Sequence, residues 1–302
     1  MLIRDAARKK PKACDSSVFG LMESVSEADL RGWVKWFSVP RHFALQPKAN
    51  REAAETVAGL FKQWGYEVSF QGEFYNVVAR QTGARGPVQL VAAHFDSTAF
   101  TPGADDNASA VAAMLGCAKA LASFKPTVPV MFVSFNREQE GLQGSQDFVK
   151  SLSAAERNDI HCAHVLEMVG YATDQPNSQR VPTGLPIRIP TTGNFLGLLA
   201  NGDSASAMDK VLQQARTYLP EFPTLGLHVM LGFAKLLPVL LRSDHAPFWQ
   251  AAIPSVMWTD TSEFRNPHYH KASDLPETLN YGFLRHVTQL LIATVATSSR
   301  AK

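Results

Sequence analysis

Histidines and carboxylates in this 302-residue chain cluster where apolar runs end. His94-Phe95-Asp96 follows the run Val88–Ala93, and Arg137-Glu138-Gln139-Glu140-Gly141 follows Val128–Phe135. Glu167 lies inside His164–Val169, and His268-Tyr269-His270 comes after Ile253–Thr259. Between the first two lies Gly103-Ala104-Asp105-Asp106-Asn107. Imidazole nitrogens with carboxylate oxygens form the mixed donor set of a divalent cation, most simply zinc. Taken singly, each piece has an ordinary reading. His-x-Asp is a common hydrogen-bonded pair, Asp-Asp-Asn a turn and helix cap, and Glu138 with Glu140 a solvated helix start. Glu167 resists such a reading best, because a carboxylate seldom sits unpaired in an apolar strand. The order of the pieces, each at a strand end, is what points to a site.

The elements that would position them can be read from periodicity. Tyr66–Phe70, Asn76–Arg80, Val88–Ala93, Val128–Phe135, His164–Val169 and Ile253–Thr259 read as strands. Several are unbroken apolar runs separated by helical patterns, which argues for a largely parallel sheet covered on both faces. In such a sheet, ligands bind at the carboxyl ends of the strands. Ser26-Glu27-Ala28-Asp29 looks like a capping box opening a helix, and a second helix runs from about Arg51 to Trp64. The Asn107–Ser123 pattern is apolar nearly all round and predicts a deeply buried helix; the last helix spans about Glu277 to Thr297. Residues 1–22 read as a loosely held N-terminal arm and 23–302 as one domain. Within it, Pro- and Gly-rich residues 172–240 read as an insertion that shapes a substrate pocket.

Composition excludes several classes. With 45% apolar residues the chain can bury a large core, and disorder fails as a description of the whole. A net charge of +2 gives no electrostatic reason to expect nucleic acid or an acidic membrane surface as partner. Three widely spaced cysteines do not make a disulfide framework. The N-terminus lacks a signal-peptide core, and the apolar stretch Leu225–Leu241 is broken by His228, Lys235 and Pro238. A soluble chain, cytoplasmic by default, is therefore expected, with Leu225–Leu241 lining a pocket or a subunit interface.

Together, His94-Phe95-Asp96-Ser97, Gly103 through Ser109, Glu138 with Gly141-Leu142-Gln143-Gly144-Ser145, Glu167-Met168-Val169-Gly170, Ser243-Asp244-His245 and Tyr269-His270 resemble the M28 family of zinc peptidases. The motifs stand in the family's order across about residues 88–280. The resemblance implies an α/β three-layer fold with a mixed, mostly parallel eight-stranded sheet between helices. It implies that His94, Asp106 and Glu167 hold one zinc, and that Asp106 bridges to a second zinc bound also by His270. It further implies that Asp96 orients His94, that Glu138 is the general base, that Tyr269 stabilises an oxyanion, and that the Asp106–Asn107 peptide is cis. The implied activity is removal of N-terminal residues from peptides. One departure stands out: where the family has two adjacent acids, this chain has Glu138 and Gln139. A neutral Gln139 predicts a weaker second metal, or a shift of Glu140 to replace the missing acid. The alternatives are a glutaminyl cyclase-like transferase of the same fold, and a binding module that has lost its metals.

Overall fold

The computed structural model describes residues 2–184, 187–230 and 237–298. The runs read as strands form β2 (Tyr66–Gln71), β3 (Asn76–Gln81), β4 (Val88–His94), β5 (Val130–Phe135), β6 (Ile160–Glu167) and β9 (Ser255–Thr259). Three further strands appear: β1 (Leu2–Asp5), β7 (Leu196–Ala200) and β8 (Thr224–His228). The nine strands found among the described residues make one sheet in the order β1-β8-β7-β9-β6-β4-β5-β3-β2. The middle strands β5, β4, β6 and β9 run parallel. Antiparallel pairing joins β3 to β5 on one side and β7 to β9 on the other. The α/β fold with a mixed sheet is as expected, with one strand more than eight.

That extra strand comes from the expected arm. Leu2–Asp5 pairs antiparallel with β8, Leu2 opposite His228 and Asp5 opposite Leu225. Arg4 reaches Asp209 at 2.6 Å, and helix α1 (Ser16–Glu23) buries Val18 and Met22 in the main core. Residues 2–22 of the expected arm are thus not loosely held: once strand edge and apolar side chains have partners, the segment is ordered. Residues 172–240 also differ from the expected insertion. They supply β7, β8 and the helix Ala205–Tyr218 to the main body.

Both sheet faces are covered. One face packs on α1, α2 (Glu27–Phe37), α3 (Pro47–Gln63), α4 (Ala110–Leu121), the helix Ala205–Tyr218 and the C-terminal helix Tyr281–Ala296. The other packs on Gln143–Ser151 and His245–Gln250 through Phe148, Val149 and Phe248. Ser26 caps α2 as expected, its hydroxyl accepting from Asp29 N–H. Helix α4 is buried on nearly every side, which its Ala-rich sequence permits because small side chains allow close approach. Cys117 on α4 and Cys162 on β6 are buried thiols, held well above their usual range by burial. Among the described residues, no helix is long and apolar enough to cross a membrane.

Candidate metal centre and catalytic site

The carboxyl ends of the parallel strands converge on His94, the last residue of β4, which is wholly buried. Its Nε2 faces three carboxylates: Asp106 Oδ1 at 3.4 Å, Glu167 Oε2 at 3.5 Å and Glu138 Oε2 at 3.7 Å. Asp96 Oδ1 lies 3.2 Å from Nδ1. Glu167 ends β6, and Glu138 follows β5 in the loop before Gln143–Ser151. On the far side of Asp106, His270 Nε2 lies 2.9 Å from Oδ2. Asp106 is thereby placed between two imidazoles with Glu138 beside it.

These positions are fixed by backbone bonding. Asp96 accepts Glu138 N–H at 3.2 Å and Gln139 N–H at 3.1 Å, so one carboxylate clamps the neighbouring loop. Asp274 accepts the N–H groups of Asp105 and Asp106 at 2.9 and 3.1 Å. The peptide between Asp106 and Asn107 is cis, and the Asn107 side chain bridges Leu166 O and Met168 N–H across β6. Gly103, with φ of 63°, opens this segment; a Cβ there would meet the Asp106 carbonyl at 2.3 Å, so only glycine fits.

Behind the cluster sits Arg41, fully buried, whose guanidinium donates to the carbonyls of Phe95, Phe37, Pro102 and Gly103 at 2.5 to 3.1 Å. It ties the chain after His94 to the loop that carries Asp106. Burial lowers its pKa to about 10, opposed by Asp96, Asp106 and Asp274. Sequence reading passed over Arg41, since an Arg between Pro40 and His42 carries no periodic signal.

Protonation is strongly perturbed. Burial disfavours the charged form of Glu138, and Glu167, Asp244 and Asp106 add repulsion; despite His94, its pKa rises well above the carboxylate range. Burial also opposes charging His94, but Glu138 and Glu167 outweigh it and raise that pKa. Asp106 is held below its usual range: the His270 and His94 imidazoles beside it overcome its burial. A buried cation among these groups would favour the ionised carboxylates.

The donors suit zinc. Among the described residues, neither ring nitrogen of His94 has a hydrogen-bond partner of good geometry, although both are buried. Ligands about 2.0–2.1 Å from a tetrahedral zinc stand roughly 3.3 Å apart, close to the spacing around Nε2. Ligand atoms of His94, Glu138 and Glu167 gather within 4.8 Å of one another, so Glu138 shares the space with the expected ligands. Glu167 is held by the Ser243 hydroxyl, which donates to Oε2 at 2.7 Å.

Gln139 also lies at Asp106, its Nε2 donating to both carboxylate oxygens at 2.9 and 3.0 Å. Glu140 does not move in: Arg137 Nε holds Oε2, and His42 lies 3.5 Å from Oε1. Tyr269 stacks on His270 with ring centroids 3.8 Å apart, and its hydroxyl accepts from Arg242 at 2.9 Å. Asp244 accepts from Ser145 at 2.5 Å, and burial lifts its pKa to about 7. His268 turns instead toward Ser273.

A cavity of about 540 Å³ opens beside these residues. Ile3, Leu227, Leu199 and Met257 line its floor, a row of cross-strand neighbours spanning β1, β8, β7 and β9. Ile187, Ile189 and Val239 to Leu241 also line it. The apolar stretch Leu225–Leu241 therefore contributes to a pocket, with 231–236 outside the described residues.

A model of Peptidase family M28 matches residues 76–295. The chain is 30% identical over 262 residues to the uncharacterized protein YfbL of Escherichia coli, covering 82% of this chain and 80% of YfbL. It is 29% identical over 211 residues to aminopeptidase YwaD of Bacillus subtilis, spanning 69% of this chain but 40% of that protein. The LapA aminopeptidase structure from Legionella pneumophila superposes with a TM-score of 0.73 at 17% identity, over 97% of this chain and 79% of LapA. A glutaminyl cyclase from Macrostomum lignano superposes with a TM-score of 0.70 at 16% identity, over 97% of each chain. At such identities the two structures show the shared fold and do not choose between chemistries.

Proposed function

The chain belongs to peptidase family M28, and from that premise we propose that it is a zinc-dependent aminopeptidase with Glu138 as its general base. One observation carries the reading: Asp106 stands between His94 and His270 with the Glu138 carboxylate 3.7 Å from the same His94 nitrogen. His94, Asp106 and Glu167 would hold the zinc, with Asp96 orienting His94 from behind. When bound, the ion supplies Lewis acidity and makes water a competent nucleophile near neutral pH.

Glu138 accepts the proton of the attacking water and returns it to the departing amine. Burial raises its pKa, which makes the carboxylate a stronger base toward the proton of water. Tyr269 donates to the substrate carbonyl oxygen as negative charge builds there. Its hydroxyl is free to do so because Arg242 occupies it only as an acceptor. The apolar cavity takes the N-terminal side chain, so leucine and phenylalanine should be favoured over alanine and lysine. The cyclase alternative loses support from Gln139, which stands where that reading requires an acid ligand, and from Glu140, which is committed to Arg137.

The test is hydrolysis of leucyl p-nitroanilide by the zinc-loaded chain beside its N-acetylated form. Release from the free-amine substrate is expected. Equal release from the acetylated one would reject the aminopeptidase reading, and cyclisation of an N-terminal glutaminyl peptide would favour the transferase.

A further inference from the structure

Asp106 offers different surroundings on its two sides. Toward His94 its Oδ1 enters the buried cluster of His94, Glu138 and Glu167. Toward His270 its Oδ2 already has protein donors: His270 Nε2 at 2.9 Å and the Gln139 amide at 3.0 Å. The same amide nitrogen also reaches Oδ1 at 2.9 Å, so one carboxamide caps the whole carboxylate. Gln139 is held in that place through its backbone N–H, which donates to Asp96 Oδ2 at 3.1 Å.

We propose that this chain is a one-metal enzyme in which the Gln139 carboxamide takes the place of a second cation against Asp106. The proposal rests on the reading that the His94 cluster holds zinc, and it goes beyond a merely weakened second site. A second ion on the His270 side would find one shared carboxylate, one imidazole and a neutral amide. Zinc sites are built from thiolate, imidazole and carboxylate, and an amide cannot offset the ion's charge. The neighbouring acid Glu140 does not replace it, since it is paired with Arg137. The His270 side chain is also 39% exposed while that of His94 is 0% exposed, so an ion there would keep more of its contact with water. Amide N–H donors, by contrast, satisfy the outward oxygens of Asp106 without any added charge.

Metal counting on the full chain decides this without reference to turnover. The chain is stripped with a chelator, equilibrated over a range of buffered free zinc, and its bound zinc measured per chain. The wild type is expected to saturate at one ion, with any further ion at least ~100-fold weaker. Gln139→Glu is expected to take up two, and Gln139→Ala, which removes the amide without adding an acid, to stay at one. Circular dichroism establishes that each variant is folded. Two ions bound to the wild type with affinities within ~10-fold of each other would overturn the proposal while leaving the peptidase reading intact. A Gln139→Glu chain that still saturates at one ion would overturn the role given to Gln139. A wild type that takes up no zinc would overturn this proposal and the metallopeptidase reading together.

Discussion

The parallel strands β4, β5 and β6 and the flank β7-β8-β1 contribute to the site in different ways. The central strands deliver side chains from their ends: His94 and Glu167 are the last residues of β4 and β6, and Glu138 follows β5. The flank delivers side chains from its face, the Ile3-Leu227-Leu199-Met257 row that continues onto β9. Strand ends bonded to neighbours on both sides hold a reacting group to within a fraction of an ångström, as proton transfer and metal ligation require. A pleated face offers area instead, which suits recognition of an apolar side chain. Chemistry and selectivity should therefore be separable by mutation.

The largest effect is expected at the centre. Glu138→Ala should lower kcat by about 10³-fold, within the range for loss of a general base, while bound zinc stays unchanged. Near-normal turnover would overturn the general-base assignment, and loss of bound zinc would show that Glu138 is a ligand and not the base. A smaller loss, about 10²-fold in kcat, is expected for Tyr269→Phe, the range for one oxyanion donor. Arg242 and Tyr269 both follow the flank in the chain, so this pair tests whether the flank side takes part in chemistry at all. If Arg242 acts only by fixing the Tyr269 hydroxyl, Arg242→Met should add little to the Tyr269→Phe loss. Multiplying losses in the double mutant, or a rise in KM alone, would assign Arg242 to substrate binding.

The seam between the two regions carries a pH-sensitive group. His164 on β6 accepts from Trp258 Nε1 of β9 through Nδ1 at 3.3 Å, and its Nε2 lies 3.2 Å from Gln89 Oε1 of β4. The arrangement suits the neutral imidazole, with Nε2–H as donor and Nδ1 as acceptor. Burial lowers its pKa to about 4, against 6.5 for a free imidazole. Between those values the unfolded chain binds a proton that the folded chain does not. Stability is then full above the unfolded pKa and falls as pH drops toward the folded one. Between pH 7 and 5 this one residue should cost about 2 kcal/mol, so the urea midpoint should fall over that interval. His245, lowered to about 4 by burial as well, adds in the same direction. His164→Gln should flatten the fall by the His164 share. An unchanged slope would mean that His164 does not stay neutral in the fold.

The same division explains what could be read in the sequence. Central strands buried on both faces are near-continuous apolar runs; β4 and β6 end in His94 and Glu167 and β5 runs into Glu138, so strands and site residues stood out together. The flank strands Leu196–Ala200 and Thr224–His228 are five residues each, carry Gly197 and Gly226, and lie among Pro- and Gly-rich loops. Nothing local marks them as parts of the sheet. β1 is shorter still, and its partner lies more than two hundred positions away, with Leu2 opposite His228. Its pairing is a property of the folded chain and not of any window of sequence. Arg41 is similar: its backbone acceptors come from residues 37, 95, 102 and 103, which only the fold brings together. For Gln139, the missing charge was visible in the sequence, whereas the hydrogen bonds that cap Asp106 were not.

The smallest expected effect lies on the flank and is the sharpest test of the division. Leu227 lines the cavity floor between Ile3 and Leu199 on the β-sheet flank. Leu227→Ala removes apolar contact without adding charge, and a lost contact of this kind in a hydrophobic pocket is worth roughly 1–3 kcal/mol of transition-state binding. The ratio of kcat/KM for leucyl over alanyl p-nitroanilide should therefore fall about 10-fold, with turnover of the alanyl substrate nearly unchanged. An alanyl rate that falls as far as the leucyl rate would mean that the flank holds the catalytic residues in place and does more than receive the side chain. If neither rate moves, the substrate does not occupy this cavity, and the side chain must bind on the opposite side of the metal cluster.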